Sequence, residues 1–186
     1  MECTSCRLLP VVNIRVWGGE LTAIFIELVT RKRTGRVFPS CNISADEDWT
    51  QNYRIPDVAV FLKGNPARDM GTHWNGRPDL AVEILSPDDR SWEKLPFYAS
   101  LGTREILLID RDPWSLTDCR LDGKEIRPKE QCSLAAGGAV QTQTVPLSWQ
   151  LITHDSRPAL QIRTLDGTQQ WLVQARGDAG FEEELE

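Results

Sequence analysis

Two acidic residues stand inside segments that otherwise read as buried β-strands, and they constrain this chain more than any other feature. Asp57 lies in Ile55-Pro-Asp-Val-Ala-Val-Phe61, and Glu83 in Asp79-Leu-Ala-Val-Glu-Ile-Leu85. A carboxylate in such a strand is costly to bury unless it is paired, hydrogen-bonded or bound to a cation. Side chains alternate along a strand, so Asp79 and Glu83 share a face but stand roughly 13 Å apart, too far to chelate one ion directly. Asp57 on a neighbouring strand can lie beside Glu83, so the pairing expected from the pattern crosses strands.

The flanking sequence predicts a mixed α/β architecture. Leu8 to Trp17 alternates loosely and reads as an opening strand, with Pro10 placing it at an edge. Between Gly19 and Arg33, Leu21, Ile24, Phe25 and Leu28 recur at three- and four-residue intervals and predict a helix that stops before Gly35. Val37 to Ser44 and Ile55 to Leu62 read as paired strands, and Lys63 to Arg77 as an exposed connection rich in Gly, Pro, Asn and Asp. Pro78 to Leu85 is apolar on both faces, as suits a central covered strand. After a turn at Ser86-Pro-Asp-Asp, a helix is expected from about Ser91 to Leu101, closed by Gly102, and then a buried strand from Glu105 to Asp110. The order strand, helix, strand implies a right-handed parallel crossover. Beyond Trp114 the pattern changes to short strands and hairpins, at Leu116 to Leu121, Lys124 to Ile126, Ala139 to Val145, Leu160 to Thr164 and Gln169 to Val173.

Composition narrows the function classes. The 186 residues suit one domain, expected over 1–177, with no internal repeat and a frayed acidic tail over 178–186. Net charge is −6, but Asp178, Glu182, Glu183, Glu184 and Glu186 carry five of those charges, so the remainder is −1 and no extended basic coat is present. The one dense positive patch is Arg31, Lys32, Arg33 and Arg36, which a solvated helix end would also explain. Leu21 to Val29, interrupted by Thr22 and Glu27, is far shorter than a membrane span, and no export signal opens the chain, so a cytoplasmic location is expected. Five cysteines in a chain of this size suggest reduced thiols. Cys3 and Cys6 form a CxxC pair, but Cys41, Cys119, Cys132, His73 and His154 are isolated, so a structural zinc is not expected. The seven dispersed tryptophans read as core or rim anchors, with Trp74 and Trp92 flanking the acids in sequence.

Oxygen donors without nearby His or Cys favour Mg²⁺ or Mn²⁺, and magnesium commonly takes one or two carboxylates and completes its shell with water and phosphate. Lys94 opens the helix after the Glu83 strand, and a short turn can bring its ammonium back over the strand end. Spacing alone leaves a metal site and a structural ion pair equally open.

The run Pro56-Asp57, Pro78-Asp-Leu-Ala-Val-Glu-Ile-Leu-Ser-Pro87, Glu93-Lys-Leu-Pro-Phe-Tyr98, Gly102 and Glu105-Ile-Leu-Leu-Ile-Asp110 resembles the Uma-two family of restriction-endonuclease-like proteins. The resemblance spans about Gly35 to Leu121. It implies the PD-(D/E)xK superfamily fold, a mixed sheet flanked by helices, here extended by C-terminal β-hairpins. It also implies a site of Asp57, Glu83 and Lys94. In the superfamily the lysine normally stands two residues after the acid, where this chain has Leu85; the family's lysine lies on the following helix, which matches Lys94.

The resemblance further implies an Mg- or Mn-dependent endonuclease acting on nucleic acid, DNA foremost. Asp57, Glu83 and the main-chain carbonyl of Ile84 would hold the metal, and Asp79 and Glu27 would assist from outside the metal shell, with Glu20 as the alternative to Glu27. Arg31, Lys32, Arg33 and Arg36 would meet the nucleic-acid backbone, and a homodimer would supply two cuts. A rival expectation is a binding or regulatory module that keeps the nuclease fold with weak or no turnover.

Overall fold

The computed structural model describes residues 12–86 and 91–174. The CxxC pair, Leu8 to Val11, most of the turn at Ser86-Pro-Asp-Asp and the acidic tail lie outside the described residues.

In chain order, α1 (Val12–Phe25) runs into one π-helical turn at Ile26–Thr30, then β1 (Gly35–Pro39), β2 (Ile43–Ser44), β3 (Val58–Leu62), β4 (Arg68–Asp69), β5 (Trp74–Asn75) and β6 (Leu80–Ile84). A 3₁₀ turn at Ser91–Lys94 leads into α2 (Leu95–Leu101). β7 (Glu105–Arg111), β8 (Trp114–Asp122), β9 (Glu125–Ser133), β10 (Val140–Thr142), β11 (Leu147–His154), β12 (Arg157–Thr164) and β13 (Gln170–Gln174) follow. Six strands form a mixed central sheet in the order β1-β3-β6-β7-β8-β9; β10 to β13 form a second sheet, and β2-β5-β4 a small third one.

The central sheet is covered on both faces, which explains why β6 is buried at all five positions. On one face Val58, Val60, Leu80, Val82, Leu107 and Ile109 pack with Leu21, Phe25 and Leu28 of the first helix and with Leu147, Trp149 and Leu160 of the second sheet. On the other, Ala59, Phe61, Ala81, Ile106 and Leu108 meet Leu95, Phe97 and Tyr98 of α2 and Ile43 and Trp74 of the small sheet. Antiparallel β3 and β6 pair Val58 with Val82, while β6 and β7 pair in parallel across α2, as the strand-helix-strand order predicts. Gly102, with φ of 81°, ends α2 by donating its N–H to Ala99 O, a left-handed stop that glycine adopts without steric cost.

Three expectations change. The strand expected up to Trp17 is helical from Val12 onward, because Trp17 lies one turn before Leu21 and extends the same buried stripe across Gly18 and Gly19. Lys63 to Arg77 is more than an exposed connection: it contributes β4 and β5, and Trp74 is buried in a stack on Phe61 with ring centroids 4.1 Å apart. β11, unrecognised in the sequence, alternates buried and half-buried positions from Leu147 to Ile152 and is the second strand of the C-terminal sheet.

The two larger sheets are also joined by charge. Glu105 accepts the N–H groups of Gln143 and Thr144 at 2.7 and 2.8 Å, and Arg120 pairs with Asp118 at 2.7 Å and with Glu130 at 3.1 Å while donating to Gln141 O. Burial, then the neighbouring Glu105, pushes the Asp118 carboxyl above its usual range.

Trp149 is fully buried, donates to Thr142 Oγ1 at 2.9 Å and packs 5.8 Å from Phe25. Trp149→Ala is expected to destabilise the protein by about 3–5 kcal/mol. Urea unfolding followed by far-UV circular dichroism and by fluorescence should shift together, because helix and both sheets share that core; separate transitions would refute a common core.

Candidate active site

The site grows from the register of three elements. Val58 pairs with Val82, so the next residue outward on each strand, Asp57 and Glu83, face each other across the strand ends. Asp57 Oδ2 accepts the N–H of Ile84 at 2.7 Å. A residue's N–H and C=O project to the same side of an extended strand, so the Ile84 carbonyl also faces the Asp57 side; Leu85, one residue on, turns its N–H to Ile109 O instead. Glu83 shares its face with Ala81 and Leu85, beneath α2.

Glu83 is 3% exposed, and both of its oxygens are engaged. Lys94 Nζ donates to Oε2 at 2.7 Å from the end of the 3₁₀ turn, and the Tyr98 hydroxyl donates to Oε1 at 2.7 Å from α2. Lys94 and Tyr98 stand four residues apart, the spacing that places two side chains on one helical face. Burial nevertheless keeps the Glu83 carboxyl above its usual range; Lys94 and Tyr98 oppose that rise and the like charge of Asp57 adds to it. Tyr98 is pushed well above an ordinary phenol by burial and by Glu83.

Two partners went unrecognised in the sequence. Tyr98 reads there as an apolar helix position, although its four-residue spacing from Lys94 was the available signal. Arg111, buried at the end of β7, donates Nε to Leu85 O at 3.0 Å; burial lowers its pKa while Asp57 and Asp110 raise it. No local pattern marks Arg111, since only the parallel pairing of β6 and β7 brings it there.

The remaining site expectations separate in space. Asp79 serves the other end of β6, accepting the Leu62 N–H at 2.8 Å and Asn65 Nδ2 at 2.6 Å and pairing with Arg77 at 3.3 Å and Arg104 at 3.7 Å. The Glu27 expectation needs correction: its Oε1 accepts Gln169 Nε2 at 2.8 Å, and its helix covers the sheet face opposite Glu83. Glu27 lies in the π-helical turn and meets the β12–β13 connection of the C-terminal sheet. Glu20 also makes an interaction of its own. Arg31, Lys32, Arg33 and Arg36 are exposed beside the far end of β3, where Arg36 pairs with Phe61, so they do not join Asp57. The Cys41 thiol is raised to about 12, mainly by burial, and is not a nucleophile near neutral pH.

Chemically, the donor set suits a hard divalent cation. No group of three His, Cys, Asp or Glu side chains converges among the described residues. Magnesium needs only one or two carboxylates, and Asp57, Glu83 and the Ile84 carbonyl are all oxygen donors. Two adjacent carboxylates, one of them driven upward by burial and by its neighbour, leave negative charge that a cation would offset.

Comparison with known proteins bears on the fold and the family. The chain resembles the crystal structure of a putative nuclease belonging to DUF820 from Anabaena variabilis, with a TM-score of 0.56, 20% identity, and coverage of 74% of this chain and 75% of that one. That likeness shows a shared fold. No curated protein matches the chain significantly. The description of the Uma2 family, "Putative restriction endonuclease", matches residues 16–154, which include Asp57, Glu83, Lys94, Tyr98 and Arg111, and the chain therefore belongs to the Uma2 family.

Proposed function

We propose that this protein is a divalent-metal-dependent endonuclease that hydrolyses phosphodiester bonds of nucleic acid, with DNA as substrate and Mg²⁺ or Mn²⁺ as the metal. The observation that carries the reading is the convergence of Asp57, Glu83 and Lys94 at one end of β3 and β6, from three separate elements. Asp57, Glu83 and the Ile84 carbonyl would hold the metal, which when bound supplies Lewis-acid polarisation of the phosphate and acidification of a water.

The chain's own groups do the rest. Tyr98 orients the Glu83 carboxylate by holding Oε1. Lys94, whose side chain is 26% exposed, can transfer part of its hydrogen bonding from Glu83 Oε2 to a phosphate oxygen as charge develops there. Arg111 pins the Leu85 carbonyl and adds positive charge beside Asp57, holding the β6 end in place.

A second reading, a nuclease-fold binding module with little turnover, is favoured by one observation: both Glu83 oxygens already have protein donors. The two readings separate by assay. Under the nuclease reading, plasmid and single-stranded DNA are cleaved with Mg²⁺ or Mn²⁺ and not with EDTA. Asp57→Ala, Glu83→Ala and Lys94→Ala each lose at least about 100-fold of that rate, a loss of the size set by removing a charge-stabilising group. Tyr98→Phe, which only releases Glu83 Oε1, should lose roughly 10-fold. Metal binding without cleavage supports the binding module, and the absence of both overturns the metal site.

The raised Glu83 pKa adds a stability prediction. The native state holds this proton more tightly than the unfolded chain, whose value is near 4.5, so the contribution is fully present below that pH and is lost as the pH rises through the native value. In EDTA, the Tm of Glu83→Gln relative to wild type should therefore increase with pH above about 4.5, and Mg²⁺ should raise the Tm of wild type alone. A Tm difference independent of pH would contradict the buried-charge account.

A further inference from the structure

The basic cluster at Arg31 to Arg36 divides in the folded chain. Lys32 lies in the electrostatic field of Asp166 on the β12–β13 turn. Arg33 and Arg36 turn instead to a groove of about 530 Å³ that also contains Lys63, a residue nothing in the local sequence associates with them. Its floor is the stacked pair Phe61 and Trp74. All three cations are exposed, and none has a carboxylate partner within 4.0 Å among the described residues, whereas Arg77, Lys94 and Arg120 are each paired. The one acid on the wall, Asp69, accepts the Gly71 N–H at 2.9 Å within its own turn.

Backbone geometry holds the cations there. Arg33 has φ of 58°, a left-handed conformation uncommon for a non-glycine residue, and its N–H closes a turn on Thr30 O at 3.0 Å directly after the π-helical segment. Lys63 N–H donates to Thr34 O at 2.7 Å, tying the β3 end to the same turn. Gly35 is required between them: a Cβ there would stand 2.4 Å from Phe61 O. Cations collected on a concave, solvent-exposed surface attract an oxyanion.

We infer that Arg33, Arg36 and Lys63 form a phosphate-binding groove for the backbone of a nucleic acid, remote from the carboxylates and on the same face of the central sheet. The inference rests on the nuclease reading for its ligand and extends it with a location. Arg36 lies opposite Phe61, four residues along β3 from Asp57, or about 13 Å. The groove therefore engages a flanking backbone phosphate a few nucleotides from the bond beside Asp57, setting register without reading sequence.

Binding at the groove needs no metal, which makes the test independent of cleavage. Fluorescence anisotropy of a labelled 12-base-pair duplex is measured in EDTA across a salt series for wild type, Arg33→Gln, Arg36→Gln, Lys63→Gln and Glu83→Ala, with Tm confirming that each folds. The expected result is a salt slope reduced by about 0.9 for each groove residue neutralised, restored by Lys63→Arg and not reduced by Glu83→Ala. Unchanged slopes and affinities in all three folded groove variants would overturn the groove, even if the protein cleaves DNA. Groove-dependent binding without metal-dependent cleavage would uphold the groove and defeat the nuclease reading alone.

Discussion

The burial of Glu83 in a strand covered on both faces is the constraint around which this fold is arranged. A carboxylate there needs compensation, and the 3₁₀ turn and α2 supply it with the Lys94 ammonium and the Tyr98 phenol, four residues apart. Both donors reach back over the strand end from the 3₁₀ turn at Ser91–Lys94 and from α2, which Gly102 closes. The compensation is incomplete, since burial still holds the carboxyl above its usual range. A site with residual negative charge in a sheltered position is suited to a cation and to the charged ester that a cation would carry.

Asp57 and Asp79 show how like residues acquire different tasks from place alone. Both lie at strand ends, and both accept main-chain N–H groups. Asp79 is enclosed by Asn65, Arg77 and Arg104, which consume its lone pairs and make it a staple between β3, β6 and the following loop. Asp57 stands across from Glu83 at the other end, beside the Ile84 carbonyl and within the field of Arg111. The nearly 13 Å that strand geometry places between Asp79 and Glu83 keeps the two tasks apart.

Much of the central unit was legible because its signals are local. The apolar runs of β6 and β7, the helix between them and the Gly102 stop each follow from periodicity or backbone preference. The first helix begins earlier than the stripe from Leu21 to Leu28 indicates, because Trp17 continues that buried stripe before Gly18 and Gly19. The strands β5 and β11 lie outside the sequence expectation for different reasons. β5 pairs with β2 from an earlier segment, and a two-residue strand has no period of its own, whereas β11 pairs with its chain neighbours β10 and β12 and its alternation from Leu147 to Ile152 is a local signal.

Asp57, Glu83 and Lys94 could be named from the chain because a charge among apolar residues, and a lysine opening the next helix, stand out in one dimension. Their union at one strand end, the donation from Tyr98 and the approach of Arg111 arise from strand register and a parallel crossover, which are properties of pairing between distant segments. The basic residues divide along the same line. Their density was visible in the sequence, but the π-helical turn and the antiparallel β1–β3 pairing decided that Arg33 and Arg36 would meet Lys63 and that Lys32 would not. Composition and periodicity determine which groups a chain must compensate or expose; only the register of remote strands decides which of them become neighbours, because the energy that selects that register is gained across the whole buried sheet.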